Sequence, residues 1–347
     1  MSPGEAEPWH AIPRQGETTM ADLQEAFLQG QLLERRQRLE TALADSRTNE
    51  SLRQLLDEVD SALERMQAGA FGICETCHDP IENDRLITDP LVRYCLDHLT
   101  PSERRALEED LRLASQLQRG LLPNHGLAFA GWEVDFYYRP LGLVSGDYCD
   151  VVTHQNERED VYFVLGDVSG KGLAACMLMS QLHAIFRTLV ASGLTLQAMV
   201  ERASRIFCQS TLSSLFATLV LVRAEQSGGI EVCNAGHCPA LLQQGRAVTE
   251  LGATGMPLGL FCEGVYPTQK AEMACGDKLL LYTDGASEAR SANEAEYGAE
   301  RLKELVASSQ GLSAQALVAA CIVDLEGFRA GAPYMDDLTL MAIRRVA

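Results

Sequence analysis

The sequence predicts an α+β fold, in which a helical hairpin and a small cysteine-rich finger precede a larger domain of mixed strands and helices. Three observations predict it. Apolar residues recur at helical spacing between residues 21 and 66. Two close ligand-type pairs, Cys74/Cys77 and Cys95/His98, are separated by 17 residues. From residue 130 onward, short runs rich in branched and aromatic residues alternate with longer segments of helical period, as in a layered domain. With 347 residues, 46% of them hydrophobic, the chain can build two domains and a sizeable core.

Residues 1–20 are polar, hold three prolines and two glycines, and are expected to form a disordered leader. Residues 21–44 read as a helix with a broken apolar stripe of Leu23, Phe27, Leu32, Leu33, Leu39 and Leu43. A polar turn over 45–50 leads to a second helix. It starts at Ser51, where Ser51-Leu52-Arg53-Gln54 has capping-box spacing. Its stripe is Leu52, Leu55, Leu56, Val59, Leu63 and Met66. Two such helices make an antiparallel hairpin that serves packing or homodimer formation.

Cys74, Cys77, Cys95 and His98 fit a structural zinc site, each pair supplying two ligands from a tight turn. Cys74 to His78 also spells the C-x-x-C-H spacing of haem attachment, which needs an export route. Val59-Asp60-Ser61-Ala62-Leu63-Glu64-Arg65-Met66, Gly69, Phe71-Gly72, Ile81, Arg85-Leu86 and Pro90 give residues 50–100 a resemblance to the DksA/TraR zinc-finger family. The resemblance implies one structural zinc ion. In that family the hairpin enters a channel of RNA polymerase, so polymerase contact is the partner it suggests. This chain departs from the pattern with His98 in place of the last cysteine. Its hairpin is also short and lacks a paired-aspartate tip.

Thr100-Pro101-Ser102-Glu103 opens a third helix, with a threonine cap, proline in the first turn and glutamate at the capping-box position. Leu107, Leu111, Ala114 and Leu117 carry it to Gly120, and Pro123 stops it. The expected organisation is therefore a leader (1–20), a hairpin and finger (21–100), a linker helix (101–123) and a larger domain (124–347). In that domain strands are expected at Trp132–Tyr138, Tyr162–Asp167, Phe216–Val222, Ile230–Asn234, Lys278–Thr283 and Leu338–Ile343. Helices are expected at Leu173–Ala191, Thr195–Gln209, Ala299–Ser308 and Ser313–Phe328.

Four acidic clusters punctuate this domain where apolar strands meet turns: Ser145-Gly146-Asp147-Tyr148-Cys149-Asp150, Gly166-Asp167-Val168-Ser169-Gly170, Tyr282-Thr283-Asp284-Gly285 and Asp336-Asp337-Leu338-Thr339. A carboxylate at the mouth of a core strand is costly unless something pairs with it. Several brought together suit hard cations that prefer oxygen ligands. Taken singly, Asp284-Gly285 reads as a turn and Asp336-Asp337 as a solvated loop.

The order of these clusters resembles the metal-dependent protein phosphatase (PPM) family, in its bacterial SpoIIE/RsbU-type branch. The resemblance runs from residue 114 to 344. It adds Ala114-Ser115-Gln116-Leu117-Gln118-Arg119-Gly120-Leu121-Leu122-Pro123, Lys171-Gly172, Phe216-Ala217-Thr218-Leu219, Asn234-Ala235-Gly236-His237 and Pro257-Leu258-Gly259 to the acidic clusters. It implies an α/β/β/α sandwich of two antiparallel sheets flanked by helix pairs, with the motif turns at one end. It also implies hydrolysis of phosphoserine or phosphothreonine by a water held between two Mn or Mg ions about 4 Å apart. Asp167 would bridge the ions, with the Val168 carbonyl as a further ligand. Asp147 would hold one ion, directly or through water, and Asp284 and Asp336 the other. Asp150, Asp337 and Lys171 would support from outside, Lys171 serving either phosphate or the start of the helix that follows. His237 reads as structural or as part of the site. Cys149, where the branch usually has an aromatic residue, reads as packing.

A formal charge of −19 argues against broad nucleic-acid binding. No apolar run approaches the ~20 residues needed to span a bilayer, and Glu5 and Glu7 stand where a signal core would. A cytoplasmic protein is expected, its eleven cysteines serving as thiols or metal ligands rather than disulfides. The resemblance implies a phosphorylated anti-sigma-factor antagonist as substrate. The alternative is a polymerase-binding regulator with the larger domain as scaffold.

Overall fold

The computed structural model describes residues 20–45, 50–82, 85–86, 89–153, 160–211 and 215–346. The expected leader, but for its last residue, lies outside these, as do most of the turn at 45–50 and the side chains of Leu23, Phe27 and Ser51. The chain divides into two compact units, Met1–Leu107 and Glu108–Ala347.

In the first unit, helices α1 (Met20–Asp45) and α2 (Glu50–Gln67) pair as a hairpin. Leu28, Leu32 and Leu39 of α1 meet Val59, Ala62, Leu63 and Met66 of α2 in one core. That core continues into the finger through Cys74, Ile81, Leu86 and Cys95. Leu33 is exposed rather than part of the stripe; Leu28 and Leu32, one turn apart, take the buried face. Helix α3 (Pro101–Arg119) starts as its sequence demands. The Glu103 N–H donates to Thr100 Oγ1 at 3.3 Å, and the Thr100 N–H donates to Glu103 Oε2 at 2.9 Å. The boundary between the two units falls within this helix.

The second unit is a four-layer sandwich. Its strands are β1 (Leu127–Phe129), β2 (Trp132–Arg139), β3 (Asp147–Thr153), β4 (Val161–Val168), β5 (Ala217–Ala224), β6 (Gly229–Ala235), β7 (Ala240–Gln244), β8 (Ala247–Leu251), β9 (Gln269–Glu272), β10 (Lys278–Tyr282) and β11 (Leu338–Arg345). One sheet runs β1-β2-β11-β10-β7-β8 and the other β3-β4-β5-β6-β9. Every neighbouring pair is antiparallel. Helices α4 (Leu173–Val190) and α5 (Leu196–Ser210) cover the five-stranded sheet. The short α6 (Asp284–Ser287) follows β10, and α7 (Ala299–Ser308) and α8 (Ala314–Arg329) cover the six-stranded sheet.

Alternation along the strands decides which side chains enter the middle layer. On β4, Phe163 and Leu165 point between the sheets, while Tyr162 and Val164 face the helices. On β10 and β11, Leu279, Leu281, Met341 and Ile343 point inward. Asp167 continues the inward row of β4. On β3, Cys149 and Val151 point inward and Tyr148 and Val152 outward. Asp147 therefore points inward and Asp150 outward.

Three expectations need correction. Asp147 opens β3 where a turn meets it, but Asp150 lies three residues inside that strand. Helix α4, at 18 residues, passes the length and composition test for a membrane span; seven of its side chains are buried, which marks a core helix. Cys208 and Cys262 form a disulfide with Cα atoms 5.4 Å apart, and the other nine cysteines are free. Gly259 lies against the Phe207 ring, which carries the loop of Cys262 to the end of α5.

Candidate metal centres

At one end of the sandwich the four acidic clusters come together. Asp147 on β3 is the register partner of Asp167 on β4. Asp284 leaves the end of β10, and Asp336 and Asp337 precede β11. A Cβ at Gly285 would stand 1.9 Å from the Asp337 carbonyl oxygen; only glycine lets the two turns approach this closely.

Charge accumulates here. Burial, then Asp284, Asp336 and Asp337, push the Asp167 carboxyl up to about 7, with Lys171 opposing. Burial and then Asp336 raise Asp284. Asp147 lies well above the ordinary carboxylate range, through burial first and Asp167 second. The Lys171 ammonium donates to Asp336 Oδ2 at 3.1 Å and to the Met335 carbonyl at 2.8 Å. One exposed lysine against the five carboxylates Asp147, Asp167, Asp284, Asp336 and Asp337 leaves a deficit of positive charge, which divalent cations with oxygen ligands suit.

The carboxylates differ in what else holds them. Asp147 Oδ2 accepts from the Thr283 hydroxyl at 3.1 Å and from the Thr339 hydroxyl, both on the opposite sheet. Asp337 accepts from the Leu141 N–H at 2.6 Å and the Gly146 N–H at 2.9 Å, so it shapes the loop leading into Asp147. Gln118, at the end of α3, pins the same loop. Its amide donates to the Ser145 carbonyl at 2.7 Å, and its Oε1 accepts the Ser145 N–H at 3.0 Å. The Val168 N–H donates to the Gly146 carbonyl at 3.3 Å.

Asp150 does not join the cluster. From the outward face of β3 it makes a two-pronged pair with Arg187 of α4 at 2.8 and 2.9 Å, with His183 Nε2 at 3.5 Å. It anchors a helix to a sheet. His237 is buried and bonds Thr218, and burial pushes its imidazole down to about 4, so the ring is neutral. Thr283, Thr339 and Gln118 stand inside motifs read from the sequence, but nothing in the sequence showed which atoms they hold. Beside Asp336 a cleft of about 290 Å³ opens, lined by Gly285, Glu288, Arg290, Arg329 and Tyr334 among others.

The second centre lies in the finger. Among the described residues, Cys74, Cys77, Cys95 and His98 form the set of potential ligands whose donor atoms all lie within 4.8 Å of one another. Cys77 Sγ is 3.7 Å from Cys95 Sγ, and Cys95 Sγ is 3.3 Å from His98 Nδ1. A tetrahedron with Zn–S bonds of ~2.3 Å has S–S edges of about 3.8 Å. Burial pushes the Cys74 thiol up, but N–H groups of Cys77, Cys95 and Thr76 bring it down to about 6. Against the Asp79 N–H, burial and the neighbouring Cys74 and Cys95 sulfurs push Cys77 up to about 12. Several thiolates so close need a dication between them, and the donor set fits zinc. His78, the histidine of the haem-type spacing, is exposed and outside the set.

Residues 157–346 match the sequence profile of the family described as Stage II sporulation protein E (SpoIIE), which is more than half of the chain. The chain belongs to the SpoIIE family. That is a family of PP2C-type protein serine/threonine phosphatases. Residues 69–97 match the prokaryotic dksA/traR C4-type zinc finger, with His98 just beyond the match. Protein IcfG of Synechocystis is 25% identical over 268 residues, 68% of this chain and 41% of IcfG. Phosphoserine phosphatase RsbU of Bacillus subtilis is 24% identical over 250 residues, 70% of this chain and 72% of RsbU. The chain thus spans less than half the length of IcfG. The SiaA PP2C domain of Pseudomonas aeruginosa superposes with a TM-score of 0.61 at 18% identity, covering 71% of this chain and 99% of that domain. That likeness gives the PP2C fold to a SpoIIE-family chain.

Proposed function

We propose that the protein is a metal-dependent protein serine/threonine phosphatase acting on phosphoserine or phosphothreonine of a regulatory protein. The observation that carries this is the meeting of Asp167, Asp284 and Asp336, from both sheets, with a deficit of positive charge. Two Mn or Mg ions, when bound, supply an activated water and neutralise the phosphoryl oxygens. Asp167 would contact both ions, Asp284 and Asp336 one, and Asp147 the other, directly or through a water, with the Val168 carbonyl alongside. Asp337 and Gln118 hold the loop that presents Asp147. Lys171 sits on the glycine-rich turn after Asp167, where its ammonium can leave Asp336 for a phosphoryl oxygen. The cleft beside Asp336 receives the chain flanking the phosphorylated residue.

By resemblance to its family the substrate is a phosphorylated anti-sigma-factor antagonist, met in the cytoplasm. The finger holds one structural zinc ion in a module for regulation or dimer formation. Phosphate release from a phosphoserine peptide, with manganese and with chelator, tests the core of this reading. Wild type should be active only with metal. Asp167→Ala should fold and lose activity by at least a thousandfold; a folded Asp167→Ala variant with wild-type turnover would refute the assignment. The dksA/traR match favours a second reading, in which the N-terminal module docks on RNA polymerase. Polymerase retained by the full chain but not by Cys74→Ser would support it.

A further inference from the structure

The Asn234-Ala235-Gly236-His237 turn carries the chain from β6 of one sheet to β7 of the other. It is held more firmly than a connection requires. Asn234 is fully buried, and its Oδ1 accepts the His237 N–H at 2.8 Å. Its amide donates to the carbonyls of Cys238 at 3.2 Å and Leu251 at 3.4 Å. Gly236 has φ of 70°, and a Cβ there would stand 2.6 Å from the Pro257 ring. One backbone path is allowed, and it brings the His237 ring to Thr218, the register partner of Asp167.

His237 Nδ1 lies 2.8 Å from Thr218 Oγ1. The Thr218 hydroxyl is also 3.5 Å from the Asp167 carbonyl. The other ring nitrogen, Nε2, is buried without a hydrogen-bond partner, and the backbone of Tyr282, two residues before Asp284, lies near the ring. The single Thr218 hydroxyl proton serves either the Asp167 carbonyl or Nδ1, and when it goes to Nδ1 the ring carries its own proton on Nε2. The ring thus bonds the strand pair that carries Asp167 and lies near the end of β10, two residues before Asp284.

We propose that His237 is a positioning residue that fixes the spacing between Asp167 on one sheet and Asp284 on the other, and so the spacing of the two ions. The inference rests on the two-ion reading above. A carboxylate shared by two ions and one holding a single ion would have to stand within a narrow range of separations. Asp284 and Asp167 repel each other, and a neutral ring wedged between their strands resists that repulsion without adding charge.

Manganese titration of the full chain, followed by calorimetry and electron paramagnetic resonance, tests this on wild type, His237→Ala, His237→Gln and Thr218→Val. Wild type should take up two ions with the spectrum of a coupled pair. Folded His237→Ala and Thr218→Val should bind the second ion at least tenfold more weakly and lose the coupled spectrum. Their kcat on a chromogenic phosphate monoester should fall with KM little changed, and His237→Gln should recover part of the loss. Should His237→Ala fail to fold, Thr218→Val, which keeps the shape and removes one hydroxyl, decides. Two ions bound by these folded variants as in wild type would overturn the role of His237 alone. A wild type that binds no manganese would overturn the two-ion reading and this inference together.

Discussion

Replacing Gln118 with alanine tests whether the end of α3 governs the loop that presents Asp147. Gln118 and Ser145 are both almost fully buried, and they exchange two hydrogen bonds, at 2.7 and 3.0 Å. Gln118→Ala leaves the Ser145 N–H and carbonyl without these partners. Each orphaned buried group costs about 1–3 kcal/mol, so the pair is worth roughly 2–6 kcal/mol. The loop can relax toward water, which favours the low end, about 2–3 kcal/mol. Asp337 still holds the Gly146 N–H, so the loss should fall on loop position more than on the fold. At 1.4 kcal/mol per tenfold, about 2 kcal/mol of displacement lowers the competent population roughly 30-fold. The assay is manganese-dependent hydrolysis of a chromogenic phosphate monoester, with urea unfolding on the same samples. Turnover should fall roughly 10- to 100-fold and the manganese half-saturation should rise. Wild-type turnover and half-saturation in Gln118→Ala would refute the reasoning.

Three further outcomes are expected. Arg187→Met strands the Asp150 carboxylate on the helix side of β3, which should cost about 2–3 kcal/mol in urea unfolding. That is below the full penalty for an orphaned buried charge because Arg187 is half-exposed. The manganese half-saturation should not move, and a shift would return Asp150 to the metal site. His237 has its folded pKa lowered to about 4, against about 6.5 in the unfolded chain. The unfolded state therefore binds more protons between these values, and the stability present above pH 6.5 is lost as pH falls toward 4. His237→Gln should flatten that part of the curve relative to wild type, and parallel curves would contradict the burial of the ring. Zinc analysis should find one ion per chain in wild type, none in Cys95→Ser and one in His98→Cys; zinc retained by Cys95→Ser would remove that cysteine from the site.

What the sequence disclosed depended on where each residue sits. Central strands such as β4, β5, β10 and β11 were expected within a few residues, because both faces are buried and the runs are nearly continuous in apolar residues. Of the five strands not expected, β1, β3, β8 and β9 are sheet edges. Gln269–Glu272 is mostly polar and Ala247–Leu251 mostly exposed, as edges tend to be, and neither was expected as a strand. Strand β3 is almost wholly buried, but Asp147 and Asp150 hid it. Of the two, only Asp150 stands apart from the cluster. Spacing along the chain put them together, whereas alternation on a strand sends one between the sheets and the other to Arg187. The disulfide was invisible because it depends on Gly259 packing against Phe207, a contact between segments about 50 residues apart.

Two polar groups tie the sheets together beneath the carboxylate cluster, and they act on different strands. Asp147 reaches from the five-stranded sheet to Thr283 and Thr339 on the other. His237 contacts Thr218 on the five-stranded sheet and lies near Tyr282 on the other. Thr283 and Tyr282 are neighbours, so both ties converge on the end of β10, one residue from Asp284. Neither tie contributes apolar burial, and both hold polar atoms out of water at a cost. A sandwich closed by the middle-layer core alone would not need them there. On the two-ion reading, their placement would make ion occupancy and sandwich closure one equilibrium. Cations that bind the closed end stabilise it by mass action, and they relieve the repulsion among Asp167, Asp284 and Asp336 that opposes closure. Manganese should therefore raise the unfolding midpoint of wild type and lose most of that effect in Asp167→Ala. The same linkage gives the loop held by Gln118 a route to the site that needs no contact with substrate, because whatever moves Asp147 changes what the ends of β4, β10 and β11 can hold.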